Sequence, residues 1–154
     1  IVAKNREYAQ LFTSLFRIRK IHKTYIAIAY GKVSSKFKTL EDDLILYENG
    51  KKIAQRAISH LKIIKISSEY SLVELNPITG RKHQLRKQLY NIGHPIVGDD
   101  KYFINRRADK IKLKHKNLML HAYKIKFMIN NIKYNFKANY NYDFNEFYKK
   151  IFKI

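Results

Sequence analysis

An α+β fold, with a mixed but largely antiparallel β-sheet flanked by helices, is the class this sequence predicts. Segments rich in β-branched and aromatic residues outnumber helical stripes. Asn130-Asn131 also joins two segments that alternate with period two, the pattern of a β-hairpin. The length, 154 residues, fits one domain and is enough to bury a sizeable core.

Asn5 is a candidate N-cap for a helix running to about Arg19. In it Tyr8, Leu11, Phe12, Leu15 and Phe16 recur at i, i+3, i+4, i+7 and i+8. That stripe is expected to face the core. A basic run, Arg17, Arg19, Lys20, His22 and Lys23, leads into a strand over 24–30 that Gly31 ends. Residues 32–53 are polar and hold an acidic cluster, Glu41, Asp42 and Asp43, so a surface excursion without regular structure is expected. Strands are predicted over 56–66 and around Leu72, Val73 and Leu75, followed by a turn at Asn76-Pro77-Ile78-Thr79-Gly80. A helix over 83–92 then carries Leu85, Leu89 and Ile92 on one face. Gly93 stands in the left-handed capping position and Pro95 two residues on. In 118–128, Leu118, Leu120 and Ala122 point one way and Met119, His121 and Tyr123 the other. Ile132, Tyr134, Phe136 and Ala138 continue the alternation beyond the hairpin turn. Asp143 followed by Glu146 resembles a capping box and predicts a last helix with Phe144, Phe147, Tyr148 and Ile151 inward.

The charge narrows the function. Lys and Arg number 32 against 12 Asp and Glu, a formal net charge of +20. That excess opposes compaction, and a polyanionic partner accounts for it. The alternative is a compositional bias, because Lys, Ile, Asn and Tyr are all abundant, as an AT-rich genome produces. With no Cys there are no disulfides, thiolate metal sites or thiol nucleophiles, and the six His contain no i, i+3 or i, i+4 pair. A metal site is not expected. No apolar run approaches the ~18 residues of a spanning helix, and Ile1-Val2-Ala3 is followed at once by Lys4 and Asn5, unlike a signal peptide. A cytoplasmic protein with no membrane partner is the expectation. Neither a helix-turn-helix nor a zinc-finger pattern is present, so a basic ribosomal or DNA-binding protein would explain the charge and little else.

Residues 72–102, LVELNPITGRKHQLRKQLYNIGHPIVGDDKY, concentrate the chemistry. A strand feeds a turn that delivers Arg81, Lys82, His83 and Arg86 to the start of a short helix, where backbone N–H groups favour an anion. Arg suits phosphate or carboxylate through its fork geometry. At 100° per residue Arg86 lies at the edge of the Leu85/Leu89/Ile92 stripe, so its stem can be buried while its head faces a cleft. A merely solvated basic helix has the same spacing.

This segment resembles the pattern E-x-x-TGRxHQ[IL]R…GHP[IL]xGDxxY of RluA/RluC-type RNA pseudouridine synthases. Thr79, Gly80, Arg81, His83, Gln84, Leu85 and Arg86 match in order, and Gly93, His94, Pro95, Ile96, Gly98, Asp99 and Tyr102 follow. Lys23-Thr24-Tyr25-Ile26-Ala27 is similar to the family's K-x-Y-x-A segment, and 118–122 to its L-x-LHA strand. The resemblance implies isomerisation of uridine to pseudouridine in RNA, with no metal or cofactor. Catalytic roles fall on Tyr25, which would stack on the flipped uracil and help remove the C5 proton, and on Arg86, which would pair with a nucleophilic aspartate. Substrate-binding roles fall on Arg81, Lys82, His83, Gln84, Leu118 and Leu120. His83 and His121 are expected to be structural hydrogen-bonding residues.

Two departures, Lys87-Gln88 and the second acid of Asp99-Asp100, are expected not to touch the chemistry. A third is larger. The family's aspartate lies in an H-R-[LI]-D-x-x-T-S-G motif before a strand whose end resembles Ile1–Asn5, so it is expected upstream of Ile1. The chain thus reads as one domain, 1–154, the C-terminal portion of a catalytic domain without its aspartate segment or an upstream S4-like RNA-binding domain. The partner is expected to be RNA, most naturally large-subunit ribosomal RNA, bound by a monomer. The alternative is a catalytically inactive RNA-binding remnant.

Overall fold

The computed structural model describes residues 1–48, 50–103 and 117–153, with the backbone alone at 46–48. Six strands, β1 (His22–Tyr30), β2 (Thr39–Glu48), β3 (Lys51–Ile66), β4 (Tyr70–Pro77), β5 (Leu120–Ile129) and β6 (Ile132–Lys137), form one sheet in the order β2-β3-β4-β1-β5-β6. Every pairing among the described residues is antiparallel, so the sheet has no mixed part there. Three helices accompany it among the described residues: α1 (Arg6–Arg17), α2 (Gln84–Asn91) and α3 (Tyr142–Phe152). None of them is long and apolar enough to cross a membrane.

β1 is the middle of the molecule. Its Ile26, Ala27, Ile28 and Ala29 are all buried, as a strand covered on both faces requires, and this explains the uninterrupted apolar run in the sequence. Opposite Tyr25 stand Leu75 of β4 and Ala122 of β5, so odd-numbered β1 residues share a face with them. α2 covers that face. The even face carries Tyr30 and Tyr70, and α3 packs there through Phe147, whose ring lies 5.7 Å from that of Tyr70.

Three expectations are corrected. The stretch 32–53 is not an irregular excursion: β2 pairs with β3 from Thr39–His60 to Glu48–Lys51. Leu40 and Leu44 are buried, while Asp42 between them on the same face accepts from the Asn91 amide at 2.9 Å. One acid in the middle of the apolar face broke the period-two signal. Acidic residues on an edge strand also deter pairing with other chains.

The stripe of α1 is not core either. No α1 residue is buried, and Tyr8 and Phe16 are 47% and 46% exposed. Phe12 meets Phe127 edge-on at 5.3 Å, and little else covers the helix among the described residues. Periodicity marks which face is apolar without saying whether a neighbour exists. Its start is as read: Asn5 accepts from the Tyr8 N–H at 3.0 Å. Lastly, α3 is capped by Asn141, whose side chain accepts from the Phe144 N–H at 2.9 Å. Asp143 instead accepts from Asn117, and Glu146 lies 3.7 Å from Lys149, so the pair makes no capping box. The hairpin turn, with Asn130 at φ 49° and Asn131 at φ 62°, and the left-handed Gly93 at φ 82° stand as the sequence predicts.

Candidate active site

Between the start of α2, the end of β4 and the faces of β1 and β5 lies a cleft of about 230 Å³. Tyr25, Arg81, His83, Gln84, Arg86 and Leu120 line it, and so do Lys23, Pro77, Thr79, Gly80 and Leu85. Six of the eight residues singled out from the sequence are thus brought together. Lys82 is exposed at the surface and Leu118 packs against the core, and neither lines the cleft. Among the described residues that line it there is no carboxylate, and among the described residues as a whole no three or more His, Asp or Glu side chains gather as a metal site would require.

Local irregularities set the geometry. The β1–β5 register shifts between Thr24 and Tyr25, a bulge that re-aims a side chain, as bulges beside functional sites do. Thr24 is held across the sheet by its hydroxyl bond to Asn76 at 2.8 Å. The turn after β4 is knotted by Gln84. Its carbonyl oxygen accepts from the Thr79 hydroxyl at 2.7 Å and the Arg81 N–H at 3.0 Å. Its NH₂ donates to the Ile58 carbonyl at 3.0 Å and the Ser59 hydroxyl at 2.8 Å. All four hydrogen-bonding positions are used, and the side chain is buried. Gln84 therefore shapes the cleft; it has no polar atom left for a ligand.

Arg86 is fixed by a fork. Its Nε donates to Asp99 Oδ2 at 2.7 Å and its Nη2 to Asp99 Oδ1 at 2.6 Å, with Asp100 a further 3.1 Å acceptor. Asp100 thus does touch a residue assigned to chemistry, contrary to the sequence expectation. Asp99 Oδ1 also accepts the N–H groups of Lys101 and Tyr102, at 3.0 and 2.8 Å. Burial pushes the Asp99 carboxyl up, but the Arg86 bonds and these two N–H groups outweigh it and hold it below the usual carboxylate range. The Arg86 guanidinium is held charged chiefly by its bond to Asp99, and its ring-side face lies 5.1 Å from the Tyr102 ring centre. Gln88, the other departure, is also not a solvated substitution: it is fully buried and donates to the Leu40 and Ala57 carbonyls at 3.1 and 3.2 Å.

His83 takes a left-handed conformation, φ 56°, at the N-cap of α2 and makes no side-chain cap. Its Nδ1 lies 3.1 Å from the Tyr102 hydroxyl. Burial and then Arg86, Lys101, Lys82 and Lys87 lower its pKa, which favours the neutral imidazole. Burial pushes the Tyr25 phenol up and keeps it protonated, and lowers the Lys23 ammonium. Lys23 and Thr79 were within quoted motifs but not assigned to the cleft; Lys23 stands two residues before Tyr25 on the same strand face, the signal that places it there. His121 packs its ring against Tyr140 at 5.3 Å and Phe144 at 5.9 Å, a structural setting.

The fold has counterparts among known proteins. The model of the RNA pseudouridylate synthase family matches residues 1–91. The chain belongs to the RNA pseudouridylate synthase family. Among curated relatives, the tRNA pseudouridine synthase C of Haemophilus ducreyi is 35% identical, over 79% of this chain and 58% of its own length. The ribosomal large subunit pseudouridine synthase D of Borreliella burgdorferi is 33% identical, over 81% of this chain and 39% of its own. A ribosomal large subunit pseudouridine synthase C, from Buchnera aphidicola, is 34% identical, over 82% and 44%. The chain therefore spans from about two fifths to three fifths of the length of these relatives. The solved structure of human RNA pseudouridylate synthase domain containing 1 shares the fold, with a TM-score of 0.75, 24% identity, and coverage of 90% of this chain and 62% of that one.

Proposed function

We propose that this chain is the portion of an RNA pseudouridine synthase that holds the target uracil, and that the protein isomerises uridine in large-subunit ribosomal RNA. The single observation that carries the reading is the convergence of Tyr25, Arg86 and Leu120 on one small cleft. In the reaction the N1–C1′ bond breaks, the base turns within the cleft, and a C5–C1′ bond forms. The C5 proton leaves and N1 gains one. Atoms and electrons balance within the substrate, so the chemistry calls for no redox cofactor.

The cleft residues fall into distinct tasks. Leu120 and Leu85 provide an apolar wall for the uracil, and Tyr25 offers its ring for stacking. With its phenol kept neutral by burial, Tyr25 relays a proton as an O–H group more readily than it accepts one as a phenolate. Arg86 orients the nucleophilic aspartate, which this reading takes from residues outside the chain, and favours its charged form. Nη1 of Arg86 makes no hydrogen bond among the described residues, which leaves it for that carboxylate. Asp99 is not available as a substitute: its side chain is fully buried and both oxygens are engaged. Arg81 stands at the rim as a phosphate partner.

Tritium release from RNA carrying [5-³H]uridine, catalysed by the full-length gene product, tests the reading directly. Absence of release with ribosomal RNA fragments and transfer RNA alike would sink it. The inactive-remnant alternative predicts that outcome together with retained RNA binding.

A further inference from the structure

A second cavity, of about 630 Å³, opens beside the base cleft and shares Lys23, Tyr25, Thr79, Gly80 and Arg81 with it. Its remaining wall comes from Ile78 and from the C-terminal end of α1 and the segment that follows, including Arg17 and Arg19. Four cations, Arg17, Arg19, Lys23 and Arg81, therefore line one hollow, and no carboxylate lines it with them. None of the four forms an ion pair among the described residues; the acids that do pair serve Arg56, Arg86 and Lys149.

This clustering is built by the chain. Arg19 is left-handed, φ 60°, and ends α1 with its N–H bonded to the Phe16 carbonyl and that of Lys20 to Leu15. Helices ordinarily place Gly in that position because it adopts the conformation without strain. Here an Arg holds it, and the reversal carries the chain straight into β1. Arg17 in the last turn has an ordinary role with the helix dipole, but Arg19, Lys23 and Arg81 do not. Arg81 is steadied from both ends, its N–H on Gln84 and its Nε donating to the Arg56 carbonyl at 3.3 Å. Lys23 is half-buried with no counter-ion among the described residues, and burial lowers its pKa; an anion in the hollow would offset that cost.

We propose that this hollow seats the phosphodiester linkages of the unpaired nucleotides that flank the target uridine, with Arg17, Arg19, Lys23 and Arg81 as their partners. The inference rests on the RNA reading above and deepens it. A uracil in the smaller cleft leaves its ribose at the wall the two cavities share, so the adjoining phosphates fall in the second. Gripping them there holds the strand splayed, which offsets part of the unstacking that base flipping costs.

The test uses the full-length gene product and a fluorescein-labelled oligoadenylate with one central uridine, read by anisotropy across a salt series. For Arg17→Gln/Arg19→Gln the slope of log K against log salt becomes shallower by about 1.4, two cations at ~0.7 each on a single strand. A neutral 2′-O-methyl methylphosphonate linkage beside the uridine weakens wild-type binding several-fold relative to its charged 2′-O-methyl counterpart. It leaves binding by the double variant nearly unchanged, the non-additivity of direct partners. The same linkage at the end of the strand has little effect on either. Equal weakening of both proteins by the neutral linkage overturns the proposal, as does a slope change of the same size in Lys149→Gln/Lys150→Gln on the distant α3. Thermal melts by circular dichroism check that each variant is folded. Tritium release by the wild type separates the two claims: release with additive binding effects removes only the phosphate seat, whereas no release removes the synthase reading.

Discussion

Arg86 and Asp99 make an asymmetric pair: the Arg86 side chain is 16% exposed and that of Asp99 not at all. Removing the arginine strands a buried carboxylate, whereas removing the acid leaves a cation that can turn to Asp100 or to water. Arg86→Met is therefore expected to destabilise by about 3–5 kcal/mol. Asp99→Asn keeps an acceptor for the Lys101 and Tyr102 N–H groups and is expected to cost only about 1–2 kcal/mol. Urea denaturation checks the order of the two. The pH dependence has a definite sign. Because the Asp99 carboxyl sits below its ordinary value, its contribution is complete above the unfolded pKa of about 3.9 and is lost as pH falls through the lower folded value. The melting-temperature gap between wild type and Asp99→Asn is expected to be constant from pH 5 to 7, within about a degree, and to shrink below about pH 4. His83 supplies a second case. Its left-handed backbone disfavours any side chain by about 1–2 kcal/mol, so His83→Gly is expected to be more stable than His83→Ala by about 1 kcal/mol. Equal melting temperatures for the two would mean that the turn is not strained.

At the scale of elements, the β5–β6 hairpin depends on two consecutive left-handed residues, Asn130 and Asn131, the backbone of a type I′ turn that matches strand twist. Asn131→Gly is expected to hold or raise the melting temperature, and Asn131→Val to lower stability by about 1–2 kcal/mol. A Val variant as stable as the Gly variant would show that the turn does not fix the register. α2 illustrates how one element serves both core and cleft. Leu85 and Leu89 are buried under it, Gln88 ties it to β2 and β3, and Arg86 and Gln84 between them build the cleft wall. The matched family segment is legible in sequence because its chemistry and its packing alternate along a single helix. β2 was not legible, since Asp42 interrupts its apolar face and its partner Asn91 lies 49 residues away.

Across the whole molecule, a net charge of +20 on 154 residues makes self-repulsion a standing cost. Raising sodium chloride from about 50 to 500 mM shortens the screening length severalfold, and the melting temperature is expected to rise by a few degrees. A flat or falling profile would mean that the cations are locally compensated. The paired acids are too few for that among the described residues, since they form four contacts with three cations.

The sequence by itself determined the α+β class, the hairpin, the helix starting near residue 83 and the family, because period, turn residues and a long gap-free motif are local properties. It also named most of the cleft. Tertiary structure alone decided the rest. It made Asp99 the partner of Arg86, since a residue thirteen positions away pairs only when the chain returns. It turned an acidic stretch into an edge strand and left the apolar stripe of α1 only partly covered among the described residues. It also gathered Arg17, Arg19, Lys23 and Arg81 around one hollow, because the end of α1 and the turn after β4 meet at the same edge of β1.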